Sequence, residues 1–158
     1  MSKQQELLLI KIIDLIGDRY NIKSNFRPRW MRNPVTGKNL EIDIFIPKFK
    51  LGIEFQGNQH FFPVKNMYVN PDSIRYRDEY KKEIAWKRRK VRIVEFFPQD
   101  LQIDNFKELL LQRASVLPVK YQTQLFEAIV SYENHKKTVQ GKIIKDIFFF
   151  DEVDSRYA

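Results

Sequence analysis

No cysteine occurs in the 158 residues, which excludes disulfides and thiolate-bound metals. Histidine is nearly as scarce, with His60 and His135 the only imidazoles. A bound metal would therefore depend on oxygen ligands, the preference of hard ions such as magnesium or manganese. No apolar run approaches the roughly 20 residues that span a bilayer, and the opening MSKQQELLLIKIIDLI lacks a basic leader followed by a small-residue cleavage site. The expectation is a cytoplasmic protein with no membrane partner. Internal repeats and low-complexity segments are absent too. Acidic residues are outnumbered, 20 against 28 Lys and Arg.

What is present suits a globular chain: 43% of residues are hydrophobic and 14% aromatic, and 158 residues fit one domain with a real core. The net charge of +8 favours a polyanionic partner, although a basic balance alone is common among proteins that bind none. The basic residues cluster in NFRPRWMRNPVTGK (25–38) and KRRKVR (87–92). Their ordinary reading is solvated surface charge. In the first cluster, arginines on an extended ribbon also suit groove contacts with a duplex. Arg27, Arg29, Arg32 and Lys38 are therefore candidate DNA-binding residues, with Arg77, Arg88 and Arg89 as a second set.

Periodicity predicts a helix over 2–16, with Leu9, Ile12, Ile13 and Ile16 on its buried face and Gly17 ending it. At about 100 degrees per residue, Glu6 falls in line with Leu9, Ile10 and Ile13 and points along the inward face. Alternatively it sits in a first turn where a carboxylate suits the helix dipole. Residues 22–38 are expected to begin as a strand and end as an exposed loop. Alternating apolar residues predict strands over 40–46 and 51–56, joined by PKFK, and VRIVEFFP (91–98) predicts a third. A helix is expected over 72–88 with a Tyr76, Tyr80, Ile84 stripe, a short one from an Asp104 cap to about Ala114, and a longer one after Pro118. That last helix carries Tyr121, Leu125, Ile129 and Tyr132 on one side and is expected to end near Gly141. The apolar tail KIIKDIFFFDEV should pack on its own core or on another subunit. The fold class is α/β, a mixed central sheet flanked by the first helix and the 72–88 helix, with a C-terminal helical extension.

Two consecutive strands carry acids. If PKFK joins antiparallel neighbours so that Ile46 meets Leu51, then Asp43 lies opposite Glu54 and Glu41 opposite Gln56. Directly opposed side chains start about 5 Å apart, and like charges there destabilise a sheet. A divalent cation would compensate, gripped by both carboxylates with its other positions left to water and substrate. The plainer reading is a solvated face, since alternation of apolar and polar residues marks any half-exposed strand. Two acid-bearing strands meeting in register, with Glu6 aimed at the same sheet, favour the metal.

The segment EIDIFIPKFKLGIEFQGNQHFFPV resembles the active-site hairpin of the PD-(D/E)XK, or restriction-endonuclease-like, nuclease superfamily. With NPVTGKNLEIDIFIP before it and YRDEYKK after it, the stretch 2–98 is most similar, within that superfamily, to the restriction-fold homing endonucleases encoded in cyanobacterial group I introns. The resemblance implies a nuclease core over 1–98, completed by C-terminal helices and tail over 99–158 that also supply an oligomer interface. It implies a site-specific endonuclease that hydrolyses double-stranded DNA with Mg2+ or Mn2+, acts as a homodimer or homotetramer, and in a bacterial cytoplasm associates with the nucleoid. Asp43 and Glu54 match the metal-binding acids, with the main-chain carbonyl of Phe55 a further ligand, and Glu6 matches an acid of the first helix. Ile42 stands at the motif's proline and Gln56 at its lysine. An amide can align a water but supplies no charge. Lys81, four residues after Arg77 on one helix edge, is the preferred replacement, with Lys65 second. His60 is a candidate proton shuttle or phosphate contact, or a hydrogen-bonded structural residue, and Gln59 is similarly ambiguous. A structure-specific nuclease of the same fold and a DNA-binding protein that has lost catalysis are the alternatives.

Overall fold

A computed structural model describes residues 1–57 and 71–157, of which 71–76 and 149–157 are described as backbone alone. The chain is mixed α/β. Helix α1 (Lys3–Ile16) is followed by β1 (Lys23–Phe26), β2 (Ile42–Ile46) and β3 (Leu51–Phe55), then α2 (Pro71–Arg89), β4 (Arg92–Phe96), α3 (Phe106–Arg113) and α4 (Val119–Tyr157). One four-stranded sheet runs in the order β1-β2-β3-β4, antiparallel between the first three strands and parallel between β3 and β4. The parallel step needs a crossover, and α2 lies within it.

Every residue of β2 and β3 is buried because the sheet is covered on both sides. One side carries Ile44, Ile46, Leu51, Ile53, Phe55, Val94 and Phe96, packed with Leu8, Ile12 and Ile16 of α1, Leu109 and Leu110 of α3 and Leu125 and Ile129 of α4. The other carries Phe45 and Ile93, packed with Met31 and with Ile84 and Ala85 of α2. The expected flanking by the first helix and the 72–88 helix is therefore what forms. Residues beyond 98 belong to the same core.

Gly52 is required by the sheet. A Cβ there would lie 3.0 Å from Ile93 Cγ1 and 3.3 Å from Ile42 Cγ2, both inside well-packed layers. Gly52→Ala should cost about 1–3 kcal/mol through overpacking, read as a lower denaturation midpoint in urea; an unchanged midpoint would show that the neighbours yield freely.

Several boundaries differ from the sequence expectation. Gly17 does end α1, at φ 81 with its N–H on the Ile13 carbonyl. The buried stripe of α1 is Leu8, Ile12, Ile16, rotated from the expected one, because apolar residues crowd positions 7–10 and leave the phase ambiguous. Asn105, not Asp104, caps α3 by accepting from the Glu108 N–H. Most unlike the expectation, α4 passes through Gly141 and continues to Tyr157. A mid-helix glycine costs only about 1 kcal/mol, and no proline follows to end the helix. Among the described residues no helix is long and apolar enough to cross a membrane.

Candidate active site

The β2–β3 hairpin fixes the site. Pro47–Phe49 form one 3-10 turn and Lys50 adopts a left-handed φ of 53, so the strands return in the register Ile46↔Leu51, Phe45↔Gly52, Ile44↔Ile53. The next position of that ladder brings Asp43 to Glu54. Asp43 Oδ2 accepts from the Phe55 N–H at 2.8 Å, and the side chains of Glu54 and Asp43 are hydrogen-bonded to each other. Both acids are buried, at 9% and 6% exposure, and Gln56 beside them at 5%. A solvated strand face would leave them wet, so the plainer sequence reading fails.

Helix α2 supplies the counter-charge. Lys81 Nζ lies 3.0 Å from Glu54 Oε1, and the adjacent Lys82 pairs at 2.6 Å with Glu95, the β4 residue in register with Glu54. Gln56 Nε2 donates to Asp78 Oδ2 at 3.1 Å. Lys81 is thus where the sequence placed it, against the acidic pair. Asp78 escapes the sequence reading, yet it sits three residues before Lys81 in YRDEYKK, on the same helix face, and that spacing is the signal that could have found it.

Burial pushes the Glu54 carboxyl from its ordinary 4.5 up to about 9; Lys81 pulls it back down, and Asp43 pushes it further up. A carboxyl so far above the neutral range keeps its proton when folded and holds it against Asp43. The pair is short of positive charge even with Lys81 in contact. Two hard oxygen donors held side by side and under-compensated fit a divalent cation, which would take the place of that proton. Asp43 and Glu54 would hold it. Among the described residues no third Asp, Glu or His joins them in a metal-binding group.

Other expected contributors are elsewhere. Glu6 is exposed in the first turn of α1, and Ile10 on the same side is 61% exposed, so Glu6 does not point along the inward face. The alternative first-turn reading is the correct one, because the helix buries Leu8 rather than Leu9. The carboxylate of Glu41 bonds Arg27 at 2.9 Å, while the Gln56 amide is taken by Asp78. Arg77 is exposed on α2. His60, Gln59 and Lys65 lie outside the described residues. Phe55 is buried in β3.

The basic stretch 25–38 forms a projection beside this site. Phe26 stacks on Phe45 at 5.2 Å and Trp30 packs edge-on to Phe45, tying its base to the sheet. An isolated bridge pairs Arg32 with Asn39, the Asn33 N–H reaches the Lys38 carbonyl, and Val35 at the tip is 90% exposed. Arg88 donates to the Trp30 and Arg32 carbonyls, so it clamps α2 to the projection. Arg89 closes the last turn of α2, where a cation complements the helix dipole. Arg29, Arg32 and Lys38 are exposed and have no ion pair among the described residues. The projection precedes β2, so it stands at the end of the sheet that holds Asp43.

No family model matches the chain, and no solved structure matches it. Two curated proteins are similar over part of it. "Uncharacterized protein 033L" of Invertebrate iridescent virus 3 is 42% identical over 62 residues, 37% of this chain and 32% of that protein. "Uncharacterized protein 307L" of Invertebrate iridescent virus 6 is 44% identical over 67 residues, 37% of this chain and 34% of that protein. The match spans about a third of the length of these curated relatives.

Proposed function

We propose that this chain is a divalent-metal-dependent DNA endonuclease with a restriction-endonuclease-like core, hydrolysing phosphodiester bonds in duplex DNA at specific sites in the manner of the homing endonucleases its hairpin resembles. The supporting observation is the buried, in-register pair Asp43 and Glu54 facing Lys81. The hairpin is followed by helix α2, which carries the YRDEYKK segment on which the resemblance also rests. Asp43 and Glu54 would hold Mg2+ or Mn2+, and the Phe55 carbonyl would be a further ligand. When bound, that cation lowers the pKa of a coordinated water and stabilises charge on the scissile phosphate.

The remaining work falls to the chain. Lys81 supplies the positive charge that the motif lysine would bring and that Gln56 cannot. Gln56, oriented by Asp78, aligns the attacking water. An acidic pair repels DNA, so cations around it must admit the substrate. Arg29, Arg32 and Lys38 are placed for that, whereas Arg27 is engaged by Glu41 and Arg88 by main-chain carbonyls. One site cuts one strand, so cleaving both takes at least two copies.

The test is incubation of supercoiled plasmid, linear duplex pools and branched DNA with Mg2+ or with EDTA, using wild type and Glu54→Ala. Magnesium-dependent cleavage of duplex that Glu54→Ala lacks supports the reading. Cleavage confined to branched DNA would make it a structure-specific nuclease instead, and binding without any cleavage would make it a DNA-binding protein only. Arg32→Ala and Lys38→Ala should weaken binding to all duplexes alike and each reduce the salt slope of log K by about 1. A change limited to one base position would assign them to base readout instead.

A further inference from the structure

We propose that the exposed second half of α4 pairs antiparallel with the same segment of a second copy of this chain. The first half of α4 is held by the domain through Leu125, Ala128 and Ile129. The last hydrogen bond it makes to the domain among the described residues is from Lys136, whose Nζ donates to the Asp14 carbonyl at 2.7 Å. Beyond Lys136 the helix runs on to Tyr157, a further 30 Å or so at about 1.5 Å per residue.

That outer segment is not built for water. Val139, Ile143 and Ile147 recur at four-residue spacing, with Ile144 and Phe148 alongside, and all are 43–65% exposed. Helices gain most of their stability by burying such a stripe, and this one also carries a glycine in its interior. Gly141 has open space where a Cβ would stand. Some surface must cover the stripe.

The charges select a second copy in one orientation. Lysines 136, 137 and 142 precede the centre of the segment; Asp146, Asp151, Glu152 and Asp154 follow it, together with Lys145, which falls opposite the uncharged position 143, and Arg156. An antiparallel pair centred on Ile144 sets position 136 against 152, 137 against 151 and 142 against 146, a lysine position opposite an acid position each time. A parallel pair sets every lysine against the same lysine of the other copy and every acid against the same acid, which repels. Antiparallel pairing also keeps the two globular domains at opposite ends. The inference does not depend on the chemistry assigned to Asp43 and Glu54.

The experiment is light scattering on the full chain over a concentration series, comparing wild type with the double variant Ile143→Lys, Ile147→Lys. Wild type should reach twice the 19.1 kDa mass of one chain, while the variant should keep the single-chain mass at the same concentrations. Both residues are exposed, so the denaturation midpoint of the domain should not move, which separates loss of pairing from loss of folding. For orientation, a spin label on Lys137→Cys, the chain's one thiol, should report two labels separated by about 20 Å along the helix axis or more. A wild-type mass of one chain, a variant that still doubles, or labels about 10 Å apart as in a parallel pair would overturn the proposal.

Discussion

Asp43→Asn and Glu54→Gln should each lower magnesium-dependent cleavage of duplex DNA by about 10^3-fold or more. Each removes half of a two-carboxylate grip, and losing several kcal/mol of transition-state stabilisation at about 1.4 kcal/mol per decade gives a drop of that order. Both substitutions preserve shape. The asparagine amide keeps an oxygen that can accept from the Phe55 N–H, the bond Asp43 makes at 2.8 Å, so the hairpin register should survive. The loss should therefore appear in kcat with DNA binding retained, measured by single-turnover cleavage beside a binding titration. Lys81→Met should cost about 10^2-fold or more, the scale for removing one charge-stabilising donor. Adding Gln56→Lys to it should return part of the activity, because a lysine at that position would stand where the motif has one. Full activity in Lys81→Met would remove Lys81 from the chemistry.

The second large effect is on stability and runs the opposite way. Glu54 has an ordinary carboxyl pKa of 4.5 when unfolded and about 9 when folded, raised mainly by burial. Below pH 4.5 both states carry the proton, and its contribution to stability is fully present. Between 4.5 and about 9 the unfolded chain gives the proton up while the folded chain keeps it, so stability falls as pH rises, by up to about 1.4 kcal/mol per unit. Above that window both states are ionised and the loss is complete. Glu54→Gln keeps the volume without the titration. In EDTA the variant should be more stable than wild type at about pH 8, by a margin that shrinks toward about pH 5, read from urea denaturation at several pH values. Parallel profiles for the two proteins would contradict the burial of a protonated Glu54. A substitution that stabilises the fold while abolishing cleavage is the trade expected of a strained functional site.

Much of this is legible in the sequence because two periods are unambiguous. The alternation of Ile44 and Ile46 and of Leu51, Ile53 and Phe55 decides which side chains turn to the α1 side of β2 and β3, and the PKFK turn closes in the register assumed for it, with Ile46 on Leu51. Asp43 and Glu54 follow from that. Lys81 is reached through its place on the helix after the hairpin, four residues from Arg77, although Arg77 itself is exposed. Where apolar residues are too dense, the period fails: Leu7 to Ile10 and Ile12, Ile13 of α1 fit two phases, and the inward placement of Glu6 belongs to the wrong one. Pairwise choices are equally hidden. That Arg27 takes the Glu41 carboxylate, and that Arg88 serves the Trp30 carbonyl, is decided by contacts between segments distant in sequence. The end of α4 is obscured for a different reason. A glycine's cost of about 1 kcal/mol reads as a stop, although good helix formers continue on both sides of Gly141.

Proton release on metal binding tests most directly whether Asp43 and Glu54 share one cation. In weakly buffered solution at about pH 7 without DNA, titration with Mn2+ should release close to one proton per bound ion from wild type, because the ion displaces the proton that Glu54 holds. Glu54→Gln should bind far more weakly and release none. Binding without proton release, or release that persists in Glu54→Gln, would show that the ion sits elsewhere and that the buried pair is not its site.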